Sequence, residues 1–213
     1  MIIDVWSDVV CPWCFIGKRR LESALKQFEH RDDVVIRHRS FELQPEMTHN
    51  VPTGQLLAEK YNVSVNQVAE MQANVCAIAD GEGLCYDLSS TVSGNTFNAH
   101  RLLLWAATIG KQDELLEALY SSYFEKSLPI FSDQDLATIA QSVGIPAADV
   151  LTFLASDQFT SEVLADKQLA AQLGATGVPF FVFDMKYAIS GAQPLEAFIE
   201  TLNTAWNEKS LTP

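Results

Sequence analysis

The segment Cys11-Pro12-Trp13-Cys14 decides how this chain is interpreted. It follows an apolar run at residues 2–6 that predicts a strand, and it precedes a run at residues 15–28 that predicts a helix. At such a junction the first sulfur meets the unpaired N–H groups and the positive end of the helix dipole, which favour its thiolate. Proline suits the first helical turn, so Cys11 is predicted to be the N-cap. We expect Cys11 to be the exposed, attacking thiol and Cys14 to be the shielded, resolving thiol.

Zinc sites use the same cysteine spacing, but they normally need a second pair of ligands of similar style. Cys76 and Cys85 are too far apart along the chain to supply it. The four histidines lie in four different predicted elements, and they are His30, His38, His49 and His100. The sequence therefore predicts redox chemistry and no metal site.

Composition narrows the class of protein. The 213 residues suffice for one sizeable core, either a single large domain or a small domain with an insertion. A net charge of −13 argues against nucleic acid or an anionic membrane as partner. No apolar run is long enough to cross a bilayer, and the first residues lack the features of a signal peptide. Four cysteines are too few for a disulfide scaffold, so we expect a cytoplasmic protein.

Strand patterns stand at both ends of the chain and helical patterns fill the middle. Residues 33–41 predict a second strand, and residues 180–191 predict a hairpin that turns at Met185-Lys186. We therefore predict an α/β fold whose central mixed sheet, flanked by helices, is built by residues 1–50 and 175–213. A large all-helical domain at residues 51–174 is inserted into it.

Two capping signals support the helical middle. Ser64-Val65-Asn66-Gln67 is a capping box, and Ser132-Asp133-Gln134-Asp135 places a serine before another amphipathic run. Both segments predict helix starts.

The second informative segment is Gly177-Val178-Pro179-Phe180-Phe181. A proline inside a central strand would remove a ladder hydrogen bond, so its accepted places are the strand entrance or a cis peptide. Proline therefore marks the start of a strand here.

Four ordered motifs together resemble the thioredoxin superfamily, in particular its DsbA-like branch with an inserted helical domain and, within that, the FrnE group. The resemblance spans nearly the whole chain. The motifs are Ser7-Asp8-Val9-Val10-Cys11-Pro12-Trp13-Cys14-Phe15-Ile16-Gly17-Lys18, Phe41-Glu42-Leu43-Gln44-Pro45, Asn95-Thr96-Phe97-Asn98-Ala99-His100-Arg101 and Gly177-Val178-Pro179-Phe180-Phe181-Val182.

This resemblance implies a thiol–disulfide oxidoreductase that acts on protein or small-molecule thiols and disulfides. It implies a cis Val178–Pro179 bond packed against the CxxC segment, no bound cofactor, and glutathione as a redox partner. A substrate thiolate would attack the Cys11–Cys14 disulfide and form a mixed disulfide at Cys11, which Cys14 resolves. The reverse direction reduces or isomerises. The implied site residues are Cys11, Cys14 and Pro179 for catalysis, and Pro12, Trp13 and Val178 for substrate binding.

Two other functions stay open at this point. One is a glutathione-dependent isomerase or transferase related to 2-hydroxychromene-2-carboxylate isomerase and kappa-class glutathione transferase, which generally carry serine where Cys11 stands. The other is a non-catalytic, redox-sensitive binding module.

Three further residues have open roles. His100 is either a proton carrier for the CxxC segment or a packing residue, and we favour packing. Cys76 falls on an apolar helical face and reads as a buried free thiol. Cys85 could fold back on Cys76 to form a second disulfide. The sequence does not indicate the oligomeric state.

Overall fold

A computed structural model describes residues 1–209 of the chain. Its central sheet has the strand order β2-β1-β5-β6. Strand β1 (Ile2–Ser7) pairs parallel with β2 (Val35–Ser40) and antiparallel with β5 (Phe180–Phe183), and β5 pairs antiparallel with β6 (Tyr187–Ser190). The predicted mixed sheet from both chain ends is therefore confirmed.

Nine α-helices surround this sheet within the described residues. They are α1 (Pro12–Gln27), α2 (Thr53–Tyr61), α3 (Val65–Gly81), α4 (Phe97–Thr108), α5 (Gln112–Tyr120), α6 (Asp133–Ser142), α7 (Ala147–Leu154), α8 (Thr160–Gln172) and α9 (Leu195–Lys209). None of these helices is long and apolar enough to span a bilayer. The block from α2 to α8 lies between β2 and β5 in the chain, where the helical insertion was predicted.

Local signals explain where several helices begin. Ser64 accepts a hydrogen bond from the backbone N–H of Gln67 at 3.3 Å, and the Gln67 side-chain oxygen accepts one from the backbone N–H of Ser64 at 2.9 Å. Ser132 and Asp135 form the same reciprocal arrangement at α6. Both predicted helix starts are confirmed, since each cap satisfies backbone N–H groups that lack an intrahelical partner.

Two short strands interrupt the helical block, contrary to the prediction of an all-helical middle. Strands β3 (Val51–Pro52) and β4 (Val92–Ser93) pair antiparallel. Two residues are too few to show the alternating pattern by which strands are predicted. A π-helical turn at Ser121–Glu125 also extends α5.

The hairpin turns at residues 184–186, which include the predicted Met185 and Lys186. Its left-handed residues are Asp184 and Met185, with φ of 46° and 56°. Asp184 tolerates this conformation, and its backbone and side chain both bond to Ile2 of β1, at 2.8 and 2.6 Å. The contact with β1 therefore places the turn.

The largest buried cluster joins α1 to the helical block. Phe15 of α1 stacks on Tyr120 of α5 with ring centroids 4.8 Å apart, and Leu102 and Leu116 of the block belong to the same cluster. A second cluster lies between the sheet, α1 and α9. The division into residues 1–50 with 175–213 and residues 51–174 stays a prediction, and residues 210–213 lie outside the described part of the chain.

Candidate active site

The CxxC segment lies at the start of α1. Cys11 is the N-cap in an extended conformation (φ −93°, ψ 110°), and Pro12 occupies the first turn, as predicted. The backbone N–H of Cys14 donates to the carbonyl of Cys11 at 3.0 Å, so the two residues are joined across one tight turn. Both side chains are free thiols.

Both thiols are buried, which corrects one expectation. Cys14 is 2% exposed as predicted, but Cys11 is only 4% exposed and not open to solvent. The cause is the loop before β5, because the Sγ of Cys11 donates to the carbonyl oxygen of Val178 at 3.5 Å. Local helix geometry favours exposure of an N-cap residue, and a distant loop covers it.

The Val178–Pro179 peptide bond in this loop is cis. The carbonyl of Pro179 accepts a hydrogen bond from the N–H of Gly191 at 2.8 Å, which ties the loop to the end of β6. Helix α1 approaches the loop closely at Gly17, where a Cβ atom would lie 3.1 Å from the Pro179 ring and 3.0 Å from the Phe181 ring. Glycine therefore allows the CxxC helix to pack against the proline.

A cavity of about 310 Å³ opens beside Cys11. Pro12, Trp13 and Val178 line it together with Cys11, so four of the six predicted site residues meet there. Cys14 and Pro179 lie behind this surface and do not line it. The rest of the wall is mostly apolar and comes largely from the helical block, including Leu56 and Leu57 of α2 and Met71 and Val75 of α3.

The helical wall of the cavity carried no functional signal in the sequence. The apolar residues of α2 and α3 that form this wall belong to none of the motifs described from the sequence, and Met71 is 38% exposed. Trp13 is also 37% exposed, at the mouth of the cavity. Lys60 is the only charged residue among the described residues that line it.

Tyr86 supports the CxxC turn from the helical block. Its hydroxyl donates to the carbonyl of Pro12 at 2.9 Å, and its ring stacks on Phe124 with centroids 4.9 Å apart. Burial, with the nearby sulfurs of Cys11 and Cys14, raises the pKa of Tyr86. Tyr86 therefore stays a neutral donor. It lies in a loop without periodicity, and no sequence pattern marked it.

Burial also raises the pKa of the Cys14 thiol, and its interaction with Cys11 adds to this effect. A backbone hydrogen bond from Asp8 acts in the opposite direction but is a smaller influence. Cys14 is thus held as a neutral thiol in the reduced protein, in keeping with a resolving cysteine that is not the first nucleophile.

A buried polar pair lies near the CxxC segment. The Nε2 of His100 is 3.3 Å from one carboxylate oxygen of Asp8, and the N–H of Leu43 donates to the other at 2.7 Å. Burial raises the pKa of the neighbouring Glu42. His100 is a buried, hydrogen-bonded residue, which agrees with the packing role that we favoured from the sequence.

The two remaining cysteines do not pair in this structure. Cys76 was predicted to be buried, but it is only half-buried. Its Sγ lies 3.7 Å from the carbonyl oxygen of Tyr86. Cys85 is exposed, and both are free thiols. Across residues 1–209, no group of three or more His, Cys, Asp and Glu side chains is arranged to hold a metal ion.

Residues 2–203 match the family model for the DSBA-like thioredoxin domain. The chain therefore belongs to this family of oxidoreductases, and the predicted thioredoxin fold and DsbA-like membership are confirmed.

Three solved structures are similar to this chain. A probable DsbA oxidoreductase from Streptomyces coelicolor is 43% identical, with a TM-score of 0.94 over 98% of this chain and 91% of the other. The cytosolic disulfide reductase DsbM from Pseudomonas aeruginosa, solved with GSH, is 17% identical, with a TM-score of 0.65 over 97% of this chain and all of the other (100%). A 2-hydroxychromene-2-carboxylate isomerase is 12% identical, with a TM-score of 0.71 over 100% of both chains. The last two share the fold.

Proposed function

We propose that this protein is a thiol–disulfide oxidoreductase that exchanges disulfides with protein or small-molecule substrates through Cys11 and Cys14. One observation carries the proposal. Cys11 caps α1, contacts the loop of the cis proline and borders a 310 Å³ cavity, while Cys14 lies buried one turn behind it. A sulfur at a helix N-terminus is favoured as a thiolate, and a second sulfur close by can complete an exchange.

In the reducing direction, the Cys11 thiolate attacks one sulfur of a substrate disulfide. A bond forms between Cys11 and that sulfur, and the other substrate sulfur leaves as a thiolate. Cys14 then loses its proton and attacks the Sγ of Cys11, which forms the internal disulfide and releases the second substrate thiolate. Two electrons pass to the substrate, whose thiolates take up two protons. The oxidising direction runs the same steps backwards, and shuffling between substrate disulfides gives isomerisation.

We place substrates in the cavity beside Cys11. An extended segment that carries the substrate sulfur would pair with the backbone of Val178, so that main-chain hydrogen bonds supply affinity. The apolar wall from α2 and α3 would receive a bulky neighbouring group, in contact with Trp13. Glutathione is the proposed redox partner: two glutathione thiols reduce the internal disulfide and become glutathione disulfide. A reducing cytoplasm suits that direction.

The two alternative functions predict different behaviour of the sulfurs. A glutathione-dependent isomerase or transferase turns over without cycling between Cys11 and Cys14. A redox-sensitive binding module binds its partner without turning over. Neither alternative function explains why the buried thiol of Cys14 lies one turn behind Cys11, which borders the large cavity.

The decisive experiment compares the wild type with Cys11→Ser and Cys14→Ser in glutathione-disulfide exchange and in insulin reduction. We expect Cys11→Ser to lose exchange, and Cys14→Ser to accumulate a mixed disulfide visible as the mass of one bound substrate. Full turnover in Cys11→Ser would overturn the proposal. Folding of each variant is checked by circular dichroism.

A further inference from the structure

The reaction leaves one proton without an assigned acceptor. Cys14 is a buried neutral thiol, but it must become a thiolate before it can attack Cys11. Water in the large cavity does not reach Cys14, because this residue lies behind Cys11 and outside the cavity wall. The group that accepts the proton of Cys14 must therefore lie on the other side of α1.

A second, small cavity lies on that side. It has a volume of about 20 Å³, and Cys14 forms part of its wall. One water molecule needs about 10–15 Å³ of such space and two to four polar neighbours. Polar side chains that line this cavity with Cys14 are Ser7, Lys18, Glu22, His38, Asp113 and Tyr120. The cavity therefore suits a single water molecule in contact with the Cys14 thiol.

His38 presents an unused nitrogen at this place. It lies on β2 opposite Val5 of β1, and its Nε2 is 3.2 Å from a carboxylate oxygen of Asp113. Its Nδ1 is buried without a hydrogen-bond partner, the one such side-chain nitrogen or oxygen in residues 1–209. Buried polar atoms are normally paired, so an orphan beside a water-sized cavity indicates a missing donor.

The contact with Asp113 fixes which nitrogen of His38 is free. The hydrogen bond from His38, together with the charge of Lys18, lowers the pKa of Asp113. Asp113 is therefore a carboxylate, which accepts the hydrogen bond from His38. Nε2 must then carry the hydrogen, and Nδ1 carries a lone pair. The free nitrogen is an acceptor by this assignment.

We infer that His38 accepts the proton of Cys14 through one water molecule in the small cavity. This inference rests on the proposed function. The thiol gives its proton to the water while the water gives one to Nδ1, which leaves a Cys14 thiolate and an imidazolium held by Asp113. The thiolate then attacks Cys11 as described above. His38 afterwards loses the Nδ1 proton to water, which restores the neutral imidazole with its hydrogen on Nε2 toward Asp113. In the oxidising direction His38 returns the proton to the leaving Cys14 sulfur.

The buried pair of Asp8 and His100 is the competing acceptor, and its geometry is less suitable. Both oxygens of Asp8 already accept hydrogen bonds, from His100 and from Leu43. Neither Asp8 nor His100 lines the small cavity. His38 meets both conditions that an acceptor needs, a free nitrogen and a shared cavity with Cys14.

Several charged or titratable groups surround His38, and they also contribute to the pH dependence of the resolution step. Helix α1 contributes Cys14, Lys18 and Glu22, α5 contributes Asp113, Glu117 and Tyr120, and the neighbouring strands contribute Asp4, Arg37 and Arg39. Lys18 and Arg19 pair with the carboxylate of Glu22, and Lys18 also pairs with Asp113. Among the described residues that line the cavity, the Nδ1 of His38 is then the buried side-chain atom without a hydrogen-bond partner.

Stopped-flow exchange with glutathione disulfide separates the two steps, and the variant His38→Asn tests the second. Asparagine keeps a polar group near Nδ1 but cannot take up the proton. We expect formation of the mixed disulfide at the wild-type rate, and its resolution by Cys14 to be slowed about 10²-fold at pH 7. The deficit should shrink as pH rises, because hydroxide replaces the missing base. Asp113→Asn should slow resolution less than His38→Asn does. It keeps the imidazole that accepts the proton and removes only the carboxylate that orients the ring.

Two control variants keep the result interpretable. His49→Asn changes an exposed imidazole outside the small cavity and should resolve at the wild-type rate. His100→Asn tests the competing acceptor. Unchanged resolution in His38→Asn, or slowing in His100→Asn alone, would overturn this inference while leaving the oxidoreductase intact. Absence of any mixed disulfide or exchange in the wild type would instead remove the proposed function itself.

Discussion

The Sγ of Cys11 lies 3.5 Å from the carbonyl oxygen of Val178, although 167 positions separate the two residues in the chain. The sheet brings them together. Trp6 near the end of β1 pairs with Phe180 at the start of β5, so the segment leaving β1 and the segment entering β5 meet at one end of the sheet. The CxxC helix starts from the first segment, and the cis proline stands in the second.

The thiols are expected to differ in reactivity. Iodoacetamide at pH 7 should label Cys85 rapidly, because it is exposed, and should spare Cys14, whose buried thiol has a raised pKa. Raising the pH to 9 should still leave Cys14 unlabelled in the folded state. Peptide mass spectrometry of the quenched protein measures this. Labelling of Cys14 at the rate of Cys85 would contradict the buried placement.

The apolar wall of the large cavity should affect only substrates that reach it. Met71→Glu puts a charge into this wall, so we expect KM for a peptide disulfide with bulky apolar flanks to rise about tenfold, the equivalent of 1.4 kcal/mol. Exchange with a small hydrophilic disulfide should stay unchanged.

The same helix supplies the matched control for that substitution. Ile78 on α3 is 38% exposed, as Met71 is, but it does not line the cavity. Ile78→Glu should leave KM for both substrates at the wild-type value. Equal increases in KM for the two variants would show that the effect comes from charge and not from the cavity.

Tyr86→Phe removes the hydroxyl that donates to Pro12 and leaves the stacked ring in place. The free energy of unfolding should fall by about 1 kcal/mol, the usual net contribution of such a hydrogen bond. Urea denaturation of the reduced protein measures it. Tyr61→Phe is the control, since Tyr61 is 51% exposed and surface changes usually stay within about 0.5 kcal/mol. A loss in both variants alike would refute the role of the Pro12 contact.

Asp113 should make stability depend on pH in the acid range. Its pKa is lowered in the folded state by His38 and Lys18, so its carboxylate stabilises the fold above the ordinary carboxyl value near about 4. That contribution is lost as the pH falls from there toward the lower folded value. Because the side chain is 67% exposed, we expect at most about 1 kcal/mol.

Denaturation of the wild type and Asp113→Asn at pH 6 and pH 3 checks the sign. The stability difference should be present at pH 6 and smaller at pH 3. Asp157→Asn, at an exposed position, should show no such change. A difference that grows on acidification would contradict the direction of the shift.

Much of the scaffold followed from local patterns. The N-cap at Cys11 came from Pro12 and the switch from strand to helix, and the helix starts after Ser64 and Ser132 came from reciprocal caps. These features depend on neighbouring residues, which a sequence shows directly. The mixed sheet built from both ends of the chain was predicted from the resemblance and the strand patterns together, but the partners of β1 were not.

The parts of the site that were missed depend on tertiary placement. Cys11 is buried because the loop of Val178 covers it, and no local rule predicts that. Tyr86 reaches the CxxC turn from an irregular loop. His38 of β2 was considered only as a potential metal ligand, because its partner Asp113 lies far along the chain in α5 and the cavity that both line exists only in the fold.

The shared core of α1 and the helical block makes burial of the CxxC helix depend on the block. Phe15 of α1 is fully buried, and rings of the block, including Tyr86, Tyr120 and Phe124, stack on it. Without the block, the cavity beside Cys11 would lose one of its walls. The apolar side of α1 that carries Phe15 would then face solvent, so the CxxC helix cannot be buried by the sheet alone.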